Sequence, residues 1–291
     1  MRTVLLWLRI IRPQTLFASV CPVLAALILT GIQYPFIAFA TILCSLSLQI
    51  LSNLINDYYD FKRGADQKAR AGFRRALAEG EVTERQMLCA CYITLAIAIL
   101  LGLYLIVMGG AALPILIIGL SAILFAWLYT ATSHSLSYLG IADIFVFLYY
   151  GVIASLGTAL LQQSYPLPLT TPLGVVSGPL RIFSAGAVSG LISMCVLMIN
   201  NLRDMDGDRL VGKRTFPVRF GKRAGQTAIL LFVLLMPLFA YMAFGSSLML
   251  ILFIPAFFLF LKICKAEGTQ YNKCLLSTGL LNVIYIILAL L

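Results

Sequence analysis

Nine apolar stretches follow one another along this chain, at about 15–33, 36–58, 87–108, 111–131, 141–162, 180–202, 225–244, 247–264 and 274–291. Each has roughly the length a helix needs to cross about 30 Å of hydrocarbon. Tight turns such as Gln33-Tyr34-Pro35 and Gly109-Gly110 separate several of them. Charged side chains make up 11% of the 291 residues and hydrophobic ones 61%, whereas soluble domains carry roughly 25% charged residues. So little charge leaves no surface for a separate soluble module. The expected fold class is all-α, a polytopic membrane protein of about nine transmembrane helices arranged around a central cavity. It forms one domain over residues 1–291, with cytoplasmic loops at about 59–86 and 203–224.

The basic residues test that count. Arg2, Arg9 and Arg12 precede the first stretch. Lys62, Arg63, Lys68, Arg70, Arg74, Arg75 and Arg85 follow the second. Arg203, Arg209, Lys213, Arg214, Arg219, Lys222 and Arg223 follow the sixth, and Lys262, Lys265 and Lys273 the eighth. With nine spans these groups share one face, and of 21 Lys and Arg only Arg181 falls on the other. The excess of basic loops on one side predicts a cytoplasmic N-terminus and a C-terminus outside. The formal charge of +10 is then an orientation signal and a partner for anionic lipid or substrate, not a nucleic-acid footprint. The first residues, MRTVLLWLRIIRPQ, are amphipathic and basic, and are expected to run along the interface and to be retained.

Seven cysteines sit mostly within apolar runs. Cys89 and Cys91 have no matching second pair, so they read as small buried hydrophobes, not metal ligands. The lone His134 is assigned no catalytic role.

The eleven acidic residues carry more information. SNLINDYYDFKRGAD ends the second stretch and INNLRDMDGDRLVGKRT ends the sixth. Asn53, Asn56 and Asp60 are spaced 0, 3 and 7, and so are Asn201, Asp204 and Asp208. That spacing puts each trio on one helix face. If the two helices face each other, up to six oxygen-bearing side chains converge at the cytoplasmic end of a cavity. Carboxylates that close repel, and a divalent cation offsets the repulsion. Magnesium takes oxygen ligands and is typically shared between one or two carboxylates and substrate phosphates. The candidate metal ligands are Asn56, Asp57, Asp60, Asp204 and Asp208. The nearby cations Lys62, Arg63, Arg70, Arg75, Lys213 and Arg214 suit a diphosphate, and membrane embedding implies a lipophilic tail on it. Asp206, two residues from each neighbour, points off the shared face if the helix continues. Thr83 is placed to cap the helix that follows LAEGEVTERQ, and Lys222, Arg223, Lys262, Lys265, Glu267 and Lys273 read as interfacial anchors.

These segments resemble the UbiA superfamily of membrane prenyltransferases, and most closely its 1,4-dihydroxy-2-naphthoate polyprenyltransferase branch. Asn56, Asp57 and Asp60 match the family's NDxxD-type signature, and Phe61, Gly64 and Asp66 extend the match to the branch's NDYxDFxxGxD. Asp204 and Asp208 match the DxxxD-type signature, within a stretch resembling NNxRDxxxDxxxGKxT. YLGIADIFVFLYYG resembles YxGLGExxVFxFFG, with Asp143 at the acidic position. Tyr129 matches the tyrosine that closes the preceding span. Two turns depart from the branch: Arg70-Ala71-Gly72-Phe73-Arg74-Arg75 has phenylalanine for proline, and Tyr129-Thr130-Ala131-Thr132 replaces a YTGG-like turn.

The resemblance implies Mg2+-dependent transfer of a polyprenyl group from polyprenyl diphosphate to 1,4-dihydroxy-2-naphthoate, with decarboxylation, giving demethylmenaquinone. It implies catalytic roles for Asp60, Asp66, Asp143, Asp204, Asp208 and Lys213. Substrate contacts are expected from Asn53, Asn56, Lys62, Arg70, Arg75, Tyr129, Tyr149, Asn201 and Arg214. Tyr58, Phe147, Tyr149 and Tyr150 are candidates for steadying an allylic cation. Acceptors such as 1,4-dihydroxy-6-naphthoate or 4-hydroxybenzoate stay open. Partners are the polyprenyl diphosphate, an aromatic acid and membrane lipid, with no nucleic acid and no obligate protein partner. An ion-coupled transporter is the non-enzyme alternative, but its acids are expected near the midplane.

Overall fold

The computed structural model describes residues 2–64, 75–130, 136–172 and 174–291. Asp66, Arg70 and His134 lie outside the described residues. The helices are α1 (Arg2–Ile11), α2 (Pro13–Thr30), α3 (Pro35–Lys62), α4 (Glu84–Met108), α5 (Ala112–Thr130) and α6 (Leu136–Leu139). Then come α7 (Ala142–Phe147), a π-helical segment (Leu148–Ile153) and α8 (Ala154–Leu161), which together form one span. A small hairpin, β1 (Leu169–Thr171) and β2 (Gly174–Val176), pairs Leu169 with Val176. The chain ends with α9 (Gly178–Arg203), α10 (Met205–Leu210), α11 (Phe216–Phe220), α12 (Lys222–Phe244), a 3-10 segment (Ser247–Leu252) running into α13 (Phe253–Lys265), and α14 (Gln270–Leu290).

Among the described residues, eight helices are long and apolar enough to cross a membrane. A ninth span arises if α1 and α2, bent 59° from each other, count together. The expected all-α bundle is therefore the observed one, with three local differences. The second span does not stop at residue 58: α3 runs on to Lys62, which carries Asp60 on the helix face its spacing predicts. The 203–224 region is not a plain loop, because α10 and α11 lie within it. The hairpin was not anticipated.

The bend between α1 and α2 falls at Arg12, whose φ of 58° is left-handed, with Pro13 starting the next helix. Thr83 does cap α4: it accepts from Gln86 N–H at 3.2 Å, while Gln86 Oε1 accepts from Thr83 N–H at 2.8 Å.

The bundle is organised on α9, whose apolar length is the most enclosed of the spans. It meets the π-helical span through glycines. A Cβ on Gly151 would lie 2.6 Å from the Gly186 carbonyl, and one on Gly190 would lie 2.8 Å from the Phe147 carbonyl. Small residues at this spacing let backbones approach where no hydrophobic drive exists between helices. Polar side chains tie other spans by bonding to carbonyls. Ser155 donates to Pro22 at 2.9 Å, Ser45 to Ser19 at 2.7 Å, and the Tyr285 hydroxyl to Ala185 at 3.0 Å. The outer faces of α4 and α5 expose Ile97, Leu100, Leu103, Ile117 and Leu120, a surface suited to lipid.

Candidate active site

The last turns of α3 and the junction of α9 with α10 border one polar chamber of about 520 Å³. Asn56, Asp57, Asp60, Arg75, Tyr129, Asp143, Asn201, Asp204, Asp208 and Lys213 all line it. The two acidic segments, far apart in sequence, thus meet. Lys213 makes the link. Its Nζ lies 3.5 Å from Asp60 Oδ1 and 3.9 Å from Asp208 Oδ1, with all three residues buried. Local backbone geometry aims it there. Gly212 has φ of 75°, a conformation open to glycine, and Lys213 N–H donates back to Asp208 O at 2.9 Å.

The helix does not run straight through the second cluster. Asp204 sits at the bend between α9 and α10 with φ −96° and ψ 7°. Its carboxylate takes a two-point contact from Arg203, with Nε to Oδ1 and Nη2 to Oδ2 both at 2.8 Å. Arg203 also donates to Asn272 on α14 at 2.8 Å. Asp57 is held by both Arg12 and Arg75, and Arg75 Nη2 lies 3.9 Å from Asp60 Oδ2. Asp206 points away, its side chain 91% exposed beside Arg209.

Several expected contacts are not brought to this chamber. Lys62 is exposed and pairs with Glu84 at 2.6 Å. The Arg214 side chain is exposed; its N–H bonds to Tyr138 O. Asn53 faces the α1–α2 junction, where its Nδ2 donates to Ile11 O at 2.9 Å and Thr15 Oγ1 at 3.0 Å. Tyr58 meets Tyr59 edge to face within an apolar cluster, and Phe147 packs against the main core. A helix periodicity specifies a face but not which neighbour covers it; Asn53 lines the second chamber instead, and at the other positions the neighbour is protein or solvent.

A second, mainly apolar chamber of about 350 Å³ adjoins the first. Arg12, Thr15, Asn56, Tyr129 and Asn200 border both. Its walls include Phe125, Tyr149 and Tyr150, and also Gly102, Gly119 and Gly157. Tyr149 lies in the π-helical segment, with its ring 5.1 Å from that of Phe125. Such segments often occur at functional sites because the extra residue per turn re-aims side chains.

Arg9, Arg12 and Arg203 line the polar chamber as well, and sequence spacing does not single them out. Tyr138 is a further missed residue. Its ring is flanked by Arg63 at 4.8 Å and Lys213 at 5.3 Å, within cation–π range. Only the matched YLG segment hinted at it.

Among the described residues, no three His, Cys, Asp or Glu side chains form a group able to hold a metal ion alone. The donor set still fits magnesium, which takes one or two carboxylates and completes its shell with water and phosphate oxygens. Asp60 Oδ1 is buried without a hydrogen-bond partner. Among the described residues, the chamber's five arginine and lysine side chains match its five carboxylates in number.

Residues 17–277 match the model of the UbiA prenyltransferase family. The chain belongs to that family. The 1,4-dihydroxy-2-naphthoate octaprenyltransferase of Escherichia coli (strain K12) is 33% identical over 223 residues, 74% of this chain and 68% of its own length. The protein of the same name from Bacillus subtilis (strain 168) is 28% identical over 228 residues, covering 77% and 68%. Among solved structures, a UbiA homolog from Archaeoglobus fulgidus bound to GPP and Mg2+ matches with a TM-score of 0.65. It is 15% identical and covers 98% of both chains. At that identity the likeness establishes the shared fold. The UbiA-family fold thus accounts for the pairing of α3 with the α9–α10 junction around one chamber.

Proposed function

We propose that this UbiA-family chain transfers a polyprenyl group from polyprenyl diphosphate to 1,4-dihydroxy-2-naphthoate. The observation that carries the reading is adjacency: a chamber lined by both acidic segments shares wall residues, Asn56 and Tyr129 among them, with an apolar, aromatic-walled one. An amphiphile with an anionic head and an isoprenoid tail matches that pair. The acceptor assignment draws on the octaprenyltransferases named above.

In this reading Asn56, Asp60, Asp204 and Asp208 would hold Mg2+, which would supply Lewis-acid neutralisation of the leaving group. Lys213 and Arg75 stabilise the same charge as it develops. The prenyl C1–O bond breaks with its electron pair going to diphosphate. The ring carbon bearing the carboxylate bonds to C1, the bond to the carboxylate breaks, and its pair returns to the ring as carbon dioxide leaves. Tyr149, Tyr150 and Phe125 shield the allylic centre from water. Asp143, whose Oδ1 is buried without a hydrogen-bond partner at the chamber wall, orients a phenolic hydroxyl. No oxidant is consumed, so the immediate product is the hydroquinone, and the quinone expected from sequence arises by later oxidation. The enzyme works in a bacterial inner membrane with its N-terminus and polar chamber on the cytoplasmic side.

The test is a membrane assay with polyprenyl diphosphate and carboxyl-labelled acceptors. Labelled carbon dioxide should appear in step with prenylated product from 1,4-dihydroxy-2-naphthoate, and chelation of Mg2+ should abolish both. Prenylation of 1,4-dihydroxy-6-naphthoate or 4-hydroxybenzoate with the carboxylate retained would reassign the acceptor. Full turnover in the Asp204→Asn, Asp208→Asn double variant would overturn the site.

A further inference from the structure

The N-terminal helix borders the polar chamber, and this links a surface element to the chemistry. Arg9, Ile10, Arg12 and Thr15 all line that chamber. Ile10 is buried against α3 among Leu51, Leu54 and Ile55, while Val4, Leu5 and Leu8 face outward. Three polar contacts fasten the segment. Arg12, at the left-handed bend, pairs with Asp57. Asn53 donates to Ile11 O and Thr15 Oγ1. Arg9 pairs with Glu81. Asp57 is 3% exposed and serves two guanidinium groups, because Arg75 reaches it too.

We propose that Asp57 is a positioning residue and not a metal ligand: it latches the N-terminal helix through Arg12 and orients Arg12 and Arg75 toward the diphosphate. A carboxylate accepting from two guanidinium groups is electrostatically satisfied. Asp60 has looser neighbours, Lys213 at 3.5 Å and Arg75 at 3.9 Å, and its Oδ1 has no hydrogen-bond partner, so it is the member of the NDYYD segment better suited to a metal cation. The latch gives the N-terminal helix a part in catalysis. When it is released, the chamber loses one wall and the diphosphate loses two aligned cations. The role in diphosphate binding rests on the function proposed above; the latch itself does not.

The experiment is a double-mutant cycle on the full-length protein in lipid nanodiscs. Its readout is trypsin cleavage after Arg9, an exposed residue of that helix, followed by intact mass without substrate or metal. Asp57→Asn and Arg12→Gln should each accelerate cleavage by a similar factor, roughly tenfold for a lost charge-assisted contact. The double variant should be little faster than either. In turnover assays Asp57→Asn should raise the KM for polyprenyl diphosphate and, at saturating polyprenyl diphosphate, leave the Mg2+ concentration for half-activity unchanged. Arg12→Lys should restore part of the loss. Cleavage of Asp57→Asn at the wild-type rate, effects that multiply in the double variant, or a raised Mg2+ requirement would each overturn the proposal. If Asp57→Asn fails to fold, Arg12→Gln and Arg12→Lys give the same comparison. If no acceptor is prenylated, the proposed function fails, and the cleavage cycle still decides the latch.

Discussion

Replacing Lys213 with methionine keeps an unbranched chain of similar length and removes the charge shared by Asp60 and Asp208. At 3.5 and 3.9 Å, each attraction is gross about 4 kcal/mol at an effective dielectric near 20. The cost of bringing the ammonium out of water offsets much of that. Breaking a buried pair by removing one partner typically costs about 3–5 kcal/mol. Arg75, 3.9 Å from Asp60, stays behind and argues for the lower end, near 3 kcal/mol. For a chain of this size that corresponds to a fall of about 6 °C in the thermal midpoint. The informative measurement is the melting of wild type and Lys213→Met in nanodiscs with and without Mg2+. If the cation uses the carboxylates that Lys213 now neutralises, the ammonium competes with it in the wild type. Mg2+ should then raise the variant's midpoint more than the wild type's, since binding to the folded state stabilises by mass action. Turnover should fall roughly a hundredfold, as for loss of one preorganised charge-stabilising donor. Equal Mg2+-induced shifts in the two proteins would refute the idea that lysine and cation share these groups.

Asp143→Asn should lower kcat about a hundredfold, in the range for a lost acid–base group, with diphosphate binding retained when measured directly by calorimetry. Unchanged turnover would exclude the role. Gly190→Val should destabilise by about 1–3 kcal/mol, because its Cβ meets the Phe147 carbonyl at 2.8 Å, and thermal melting reads this. Gly119→Leu should cost little stability, since a Cβ there meets nothing within 4 Å. It places bulk at the wall of the apolar chamber, so competition between short and long prenyl diphosphates should shift toward the short. Asp206→Asn should leave turnover unchanged in the same membrane assay, given its exposure.

The helical plan was legible because apolar length sets the spans. The duplicated 0, 3, 7 spacing of asparagine and aspartate pointed to two facing segments, and α3 and the α9–α10 junction do border one chamber. Periodicity failed where a residue's partner comes from a distant element. Asn53 has the same spacing as Asn56 and Asp60, yet the turn at Arg12 lies over it. Lys62 follows Asp60 by two positions and so points to solvent and Glu84. The bend at Asp204 was also hidden, because no glycine or proline lies between Leu191 and Met205 to announce it.

Arg75 and Lys213 were expected from sequence as phosphate partners, whereas Arg12 and Arg203 were not, and together these cations change how the site works. A sequence reading counts carboxylates and adds a metal to relieve their repulsion. The structure brings Arg12 from the N-terminal bend, Arg75 from beyond the first acidic segment, and Arg203 and Lys213 from either side of the second. Each of Asp57, Asp60, Asp204 and Asp208 therefore has a cation before any ligand arrives. Repulsion among acids cannot then be what draws a divalent ion in. On the function proposed above, the stronger drive is the anion itself: a diphosphate entering a chamber whose described charges balance would need added positive charge, which a divalent ion would supply. Diphosphate and Mg2+ should accordingly bind with positive coupling, each raising the other's affinity by the same factor.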